Sequence, residues 1–137
     1  MAAAMMIRTI LHINIGVDRA GLEECRDFYC DVLGLTVGAR PPFASVGYWL
    51  YAGGEPLVHL VVAEPVQQGA GPGPSALRHV AFECSDLPAA LARLQARGVA
   101  YSISLVPGLD IAQVNFKDPV GVGIELSFNS PPDTTSQ

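Results

Sequence analysis

The sequence has few charged side chains, no cluster of basic residues and only three cysteines. Charged residues make up 15% of the 137 residues, and the formal net charge is −5. Because phosphate backbones are bound by clustered Lys and Arg, this balance disfavours nucleic acid as a partner. An odd number of cysteines (Cys25, Cys30 and Cys84) is typical of a reducing compartment rather than of a secreted, disulfide-stabilised protein.

Long apolar runs are missing as well. The run from Met1 to Ile7 is short, is followed by Arg8 and has no basic segment before it, so it does not resemble a secretory signal. No stretch approaches the roughly 20 apolar residues that a membrane-spanning helix needs. We therefore expect a cytoplasmic protein that does not enter a membrane.

The chain does contain enough apolar sequence for one compact domain. Hydrophobic residues make up 50% of it, and a domain of this size buries roughly two thirds of the surface that its unfolded chain exposes. The length excludes a two-domain enzyme with its own dinucleotide-binding half. We expect a single domain over residues 1–137.

The two halves of the sequence show the same order of predicted elements. In each half, a strand with alternating apolar residues leads into an amphipathic helix, and three shorter strands follow. Matching positions recur at a nearly constant offset: His79 follows His12 by 67 residues, and Gly98 follows Gly34 by 64. The sequence therefore predicts an α+β fold of two tandem β-α-β-β-β modules. We place module 1 at about residues 7–63, the linker at 64–76, module 2 at about 77–128 and the tail at 129–137.

The three histidines each lie in a predicted strand, at the parity opposite to that of the most apolar residues. A glutamate in the last predicted strand has the same placement. Because successive side chains of a strand point to opposite faces, all four point away from the face that packs on the helices. The four residues are His12, His59, His79 and Glu125.

Two interpretations of this face are open. The four side chains either face solvent as ordinary polar residues, or converge inside a cup formed by the curved sheet. Their matching positions, on the first and fourth strands of both halves, favour convergence. Imidazole and carboxylate groups are suitable ligands for Zn, Ni, Co, Mn or Fe, so we predict a divalent metal ion whose identity stays open.

Five runs of the chain form a recognisable set: His12–Val17, Asp27–Tyr29, Val32–Leu35, His79–Phe82 and Asp118–Leu126. The most specific of them are the opening strand and helix and the final Asp-Pro-x-Gly…Glu-Leu segment. Together these runs resemble the glyoxalase / bleomycin-resistance / extradiol dioxygenase superfamily, also called the vicinal oxygen chelate proteins. The similarity covers about residues 7–128.

This resemblance implies paired β-α-β-β-β modules that form a cup-shaped mixed sheet around a metal site. In such proteins the ligands fall on the first and fourth strands of each module, which here carry His12, His59, His79 and Glu125. The two modules pair either within one chain or across a dimer, and a homodimer is expected here because open edge strands favour pairing.

The number of protein ligands bears on the reaction. Two histidines and one carboxylate leave three octahedral positions open, which suits Fe(II), a bidentate catechol and O₂. With His59 as a fourth ligand, two positions remain, and these fit a substrate that chelates through adjacent oxygens. We then expect glyoxalase-like isomerase or lyase chemistry, in which the metal is a Lewis acid and Glu125 is the catalytic base.

The sequence also departs from known members of the superfamily. Glyoxalase I-like members usually carry Glu at the position of His59, followed by an Asn-containing stretch that helps hold glutathione and is missing here. Fosfomycin-type members bind a phosphonate, for which this chain has no basic cluster. Three functions therefore stay open: the preferred isomerase or lyase, an extradiol-type ring-cleaving dioxygenase with Fe(II), and a non-catalytic small-molecule binding protein.

Four further residues of the same parity are candidates for contacting a small-molecule substrate. Arg40 can pair with a carboxylate or phosphate, and Trp49 can stack on a ring. Gln113 and Asn115 are the candidates in the second module. For each of the four, a surface or packing role is the alternative.

Overall fold

A computed structural model describes residue 6, residues 9–63 and residues 78–129 of the chain. The predicted linker at 64–76 and residues 130–137 of the predicted tail lie outside the described residues. The prediction of two tandem β-α-β-β-β modules is confirmed. The described elements follow this order twice, and the four strands of each module form a mixed sheet of their own.

Module 1 consists of a four-stranded sheet and one helix. The parallel pair is formed by β1 and β4, and the other neighbouring strands are antiparallel, in the order β1-β4-β3-β2. Strands β1 and β2 are therefore the edges of this sheet. The elements are β1 (Ile13–Val17), α1 (Arg19–Asp31), β2 (Thr36–Gly38), β3 (Gly47–Ala52) and β4 (Glu55–Val62).

Module 2 repeats this arrangement. Its parallel pair is formed by β5 and β8, and the strand order is β5-β8-β7-β6, so β5 and β6 are the edges. The elements are β5 (His79–Cys84), α2 (Leu87–Ala96), β6 (Ser102–Leu105), β7 (Ala112–Lys117) and β8 (Gly123–Phe128).

The helix ends follow local sequence signals. The Asp18 carboxylate accepts a hydrogen bond from the Gly21 amide at 2.7 Å and caps α1. Sequence reasoning extends this helix to about Leu33, but it ends at Asp31, and Gly34 then turns the chain with a φ of +78°. The sequence offers Ser85 and Asp86 as caps of α2, and it is the Asp86 carboxylate that accepts from the Ala89 amide, at 3.0 Å.

The apolar parity of the strands packs against the helices, as the alternating pattern predicts. Strand residues such as Val58, Leu60 and Val114 have no exposed surface, and Cys25 of α1 is equally buried. Burial is also the main cause that raises the pKa of the Cys25 thiol to about 12. This thiol therefore behaves as a small core residue and not as a nucleophile.

Helix α1 of module 1 is joined to the β7–β8 turn of module 2. The Tyr29 hydroxyl donates to Asp118 Oδ2 at 2.7 Å, and Asp118 Oδ1 accepts from the amides of Val120 and Val122 at 2.9 and 2.8 Å. Phe28 packs on Phe116 with ring centres 6.2 Å apart. The two modules therefore share one core, and the buried Asp118 carboxylate has three donors.

Candidate functional site

Three rings form a stack on the sheet of module 1. The His59 ring lies between the indole of Trp49, at 4.1 Å and an interplanar angle of 10°, and the ring of His12, at 3.8 Å and 16°. Trp49 and Asn14 are the residues paired with His59 on the two neighbouring strands. As the alternation of side chains predicts, His12, His59 and Trp49 lie on the same face of the sheet. His12, however, lies one residue before β1 rather than inside a strand.

A hydrogen bond to the backbone also holds the edge of the His59 ring. Its Nε2 lies 3.1 Å from the Pro56 carbonyl oxygen. Because a carbonyl can only accept, Nε2 carries the proton that is donated. A β-bulge precedes this contact, since Leu50 pairs with Val58 and Tyr51 with Pro56. Burial, followed by electrostatic interaction with the neighbouring His12 ring, lowers the pKa of His59 and favours its neutral form.

The ring stack borders a concave pocket of about 570 Å³. Its lining is largely apolar and includes Leu11, Phe43 and Pro56 beside the stacked rings. The Arg40 guanidinium also lines it and donates from Nη1 and Nη2 to the carbonyl and hydroxyl of Ser45, both at 3.0 Å. Arg40 therefore organises the pocket's loop at the same time as it places a positive charge in the wall.

A second group of polar residues lies on the sheet of module 2. His79 Nε2 is 3.2 Å from Glu125 Oε1, and Gln113 Nε2 donates to Glu125 Oε2 at 3.1 Å. The Glu125 side chain is only 13% exposed, whereas that of His79 is 52% exposed. The carboxylate is thus fixed in orientation, and its imidazole neighbour is open to solvent. Asn115, which is half-buried, is paired with Glu125 across the β7–β8 ladder.

The distance between the His79 imidazole and the Glu125 carboxylate fits two ligands of one divalent ion. Two ligands about 2.1 Å from one ion are roughly 3.0–3.4 Å apart, depending on whether the geometry is octahedral or tetrahedral. The 3.2 Å between His79 Nε2 and Glu125 Oε1 lies in this interval. Imidazole nitrogen and carboxylate oxygen are also donors that Zn, Ni, Co, Mn and Fe accept.

The four predicted ligands form two pairs in a single chain. His12 contacts His59 on one sheet, and His79 contacts Glu125 on the other. Among the described residues of one chain, no three His, Cys, Asp or Glu side chains are grouped closely enough to hold an ion. The candidates for substrate contact divide in the same way, with Arg40 and Trp49 at the first pair and Gln113 and Asn115 near the second.

Sequence reasoning missed three residues that shape this region. Phe43 and Ser45 lie in the loop before β3, where the sequence has no periodicity that predicts contacts. Pro56 acts through its backbone carbonyl, which the identity of a side chain does not reveal. The only available signal was the Pro-Pro pair at residues 41 and 42, which marks a structured turn near Arg40.

Neither helix in the described part of the chain is long and apolar enough to cross a bilayer.

Comparison with known proteins matches the chain to a family model and to a sequence relative. Residues 9–126 match the family model described as the Glyoxalase/Bleomycin resistance protein/Dioxygenase superfamily. The uncharacterized protein YaeR of Escherichia coli strain K12 is 31% identical over 118 residues, which cover 82% of this chain and 92% of YaeR.

Solved structures share the fold. TnmS3, an antibiotic binding protein from a Streptomyces species, superposes with a TM-score of 0.66 at 26% identity, and the match covers 93% of this chain and all of TnmS3. A variant of the fosfomycin resistance protein FosX of Listeria monocytogenes superposes with a TM-score of 0.67 at 16% identity, covering 96% of this chain and 98% of FosX. That FosX structure contains Mn(II) and a dihydroxypropylphosphonic acid, and at this identity the match shows the fold alone.

Proposed function

The chain belongs to the Glyoxalase/Bleomycin resistance protein/Dioxygenase superfamily, and on that premise we propose that it is a divalent-metal-dependent enzyme. Its substrate is a small molecule that chelates the metal through two adjacent oxygens. The preferred reaction is a glyoxalase-like isomerisation or lyase reaction by proton transfer. One observation carries the proposal: His79 and Glu125 are spaced as ligands of one ion, and Gln113 fixes the carboxylate.

A second copy of the chain completes the site in this proposal. His12 lies one residue before edge strand β1, and His79 is the first residue of edge strand β5. In the part of the chain that the structure describes, the outer side of each of these strands is unpaired, so its backbone groups can face a neighbour. If the module 1 sheet of one chain adjoins the module 2 sheet of another, His12 of the first chain lies beside His79 and Glu125 of the second. The resulting homodimer is symmetric and carries two sites.

The chain's own residues have separate tasks in the reaction. A bound divalent ion would supply Lewis-acid polarisation of the substrate oxygens. Glu125 accepts the substrate proton at its carboxylate and returns it, while the Gln113 amide keeps Oε2 in place. On the facing sheet, Arg40 and Trp49 line the pocket and would contact the charged and planar parts of the substrate.

Complementation between two inactive variants tests the shared site. We expect His12→Ala and Glu125→Gln to lose activity separately, because each removes one donor from every site. In a refolded mixture, half of the dimers are mixed, and each mixed dimer regains one intact site, which restores about a quarter of the wild-type sites. A site contained in one chain would give no recovery on mixing.

The reaction class is tested by turnover of α-hydroxycarbonyl compounds under anaerobic conditions. Turnover without O₂ that disappears with a chelator and returns with added metal supports proton transfer. Oxygen uptake with Fe(II) and catechol would instead support the ring-cleaving alternative. The control is Gln113→Glu, which replaces the donor to the Glu125 carboxylate with a like charge and is expected to slow turnover without removing the ligands.

A second candidate function is small-molecule binding without catalysis. The apolar, aromatic lining of the pocket favours it, and TnmS3 is an antibiotic binding protein of the same fold. Trp49 is the only tryptophan of the chain, so its fluorescence reports on the pocket directly. Quenching by planar aromatic compounds that is equally tight with and without metal would support binding, whereas a dependence on metal would support the enzyme.

A further inference from the structure

His59 is restrained on both faces and along its edge. The Trp49 and His12 rings cover its two faces at 4.1 and 3.8 Å. Its Nε2 donates to the Pro56 carbonyl at 3.1 Å, and the residue is only 7% exposed. His12, by contrast, is exposed and has one face on His59. Of these two imidazoles, His12 is the one free to turn toward an ion.

We propose that His59 stays outside the metal's coordination sphere and acts as a positioning residue, an inference that rests on the proposed metal site. It forms the middle ring of the stack, and so holds His12 beside the ion and Trp49 along the pocket wall. The site then has three protein ligands: His12 from one chain and His79 and Glu125 from its partner.

The geometry of the stack carries this inference. An imidazole nitrogen coordinates through a lone pair in the plane of its ring. At a metal–nitrogen distance of about 2.1 Å, an ion in the His12 plane would lie at least roughly 2 Å outside the His59 plane, since the rings are 3.8 Å apart and inclined by only 16°. The two rings therefore cannot bind one ion while they are stacked. Coordination through His59 Nε2 would also break its bond to Pro56.

The consequence concerns the number of open positions. Three protein ligands leave three positions of an octahedral ion free. Two of them would accept the adjacent oxygens of a substrate. The third would hold water in the proposed proton transfer or O₂ in the ring-cleaving alternative, so the number of ligands alone does not distinguish these two reactions. A site without His59 as a ligand thus leaves one more coordination position open than a four-ligand site would.

Imidazole NMR during a Zn²⁺ titration tests the assignment. With ¹⁵N-labelled histidine in wild-type protein, we expect the ring nitrogens of His12 and His79 to shift when Zn²⁺ is added. Those of His59 should keep the pattern of a neutral ring protonated at Nε2. A shift of His59 to that of a coordinated nitrogen would overturn the inference and leave the metal site standing. If no histidine shifts, the metal site itself fails, and the inference with it.

Co²⁺ affinities of three variants give an independent readout. His59→Phe keeps the stack but removes both nitrogens, so we expect its affinity to stay within about threefold of wild type with an unchanged visible spectrum. His59→Ala also frees His12, and a loss of about tenfold is expected, the scale of an outer-shell change. His12→Ala removes a ligand and should lose more than about 100-fold. Equal losses for His59→Phe and His12→Ala would overturn the inference.

Discussion

Gly123 faces His79 across the parallel pair of β5 and β8, and a larger residue does not fit there. A Cβ at this position would lie 2.6 Å from the Arg78 carbonyl oxygen and 2.9 Å from His79 Cβ. Both neighbours belong to the backbone or sit directly on it, so neither can move aside cheaply. The absence of a side chain at residue 123 thus allows His79 to pair with it across the β5–β8 ladder.

We therefore expect Gly123→Ala to displace His79 and to destabilise the fold by about 1–3 kcal/mol, the usual cost of overpacking. Chemical denaturation gives the free energy of unfolding, and a Zn²⁺ titration gives the accompanying loss of metal affinity. Gly16→Ala is the matched control in β1, because its Cβ would meet only Ala63 Cβ at 3.3 Å. If both variants lose equal stability, crowding at His79 is not the cause.

The buried thiol of Cys25 predicts a dependence of stability on alkaline pH. Its pKa is about 12 in the fold, against 9.0 for the ordinary thiol. Above pH 9 the unfolded chain releases this proton and the folded chain keeps it. The free energy of unfolding therefore falls with rising pH, by about 1.4 kcal/mol between pH 8 and 10.

Urea denaturation at pH 8 and pH 10, with reducing agent present, measures this decrease. In Cys25→Ala the decrease should be smaller by about the same amount, even though the variant is less stable at both pH values. Burial also raises the pKa of the Tyr29 hydroxyl above its ordinary value of 10.0, so some decrease above pH 10 remains in the variant. An identical pH profile for the two proteins would contradict the role of Cys25.

Single residues show how far sequence reasoning reaches. Alternation in β4 places His59 on the face opposite Val58 and Leu60, because that face is set by a period of two. The stacking of His59 on Trp49 depends on the register of β3 against β4, which the loop at 39–46 and the bulge before Val58 determine together. Sequence spacing alone does not reveal either feature.

At the scale of elements, the link between α1 and the β7–β8 turn joins the modules. Tyr29 and Asp118 are 89 residues apart in sequence, and no periodicity connects them. The family resemblance includes both segments, in the runs Asp27–Tyr29 and Asp118–Leu126. It did not predict the hydrogen bond, since this depends on the packing of one module against the other.

Removing this hydrogen bond tests its contribution. Tyr29→Phe leaves Asp118 Oδ2 buried with one donor fewer, and we expect a loss of about 1–3 kcal/mol in unfolding free energy. Asp118→Ala should cost more, because the amides of Val120 and Val122 also lose their acceptor. Thermal denaturation of the two single variants and the double variant gives the coupling energy. Additive losses would show that the two side chains do not interact in solution.

At the scale of the whole molecule, the proposed site links metal binding to dimerisation. An ion that binds only where two sheets adjoin stabilises the dimer over separate chains, by about 2.7 kcal/mol at a concentration 100 times its dissociation constant. We therefore expect chelation to lower the melting temperature and to shift the sedimentation profile toward monomer. Wild type with Mg²⁺ in place of Zn²⁺ serves as the control for ionic strength.

The opposite result is equally informative. A monomer that keeps one tightly bound metal per chain at every concentration would show that His12, His79 and Glu125 meet within a single chain. The pairs His12–His59 and His79–Glu125 would then have to approach each other by a movement of the two sheets.

The shared core between the modules has a consequence for how the chain unfolds. A duplicated sequence can behave as two independent folding units, each melting at its own temperature. Here the hydrogen bond from Tyr29 to Asp118 and the contact of Phe28 with Phe116 connect the cores of the two modules. Calorimetry should consequently record one cooperative transition whose calorimetric and van't Hoff enthalpies agree. Neither repeat, if expressed alone, would retain the thermal resistance of the pair.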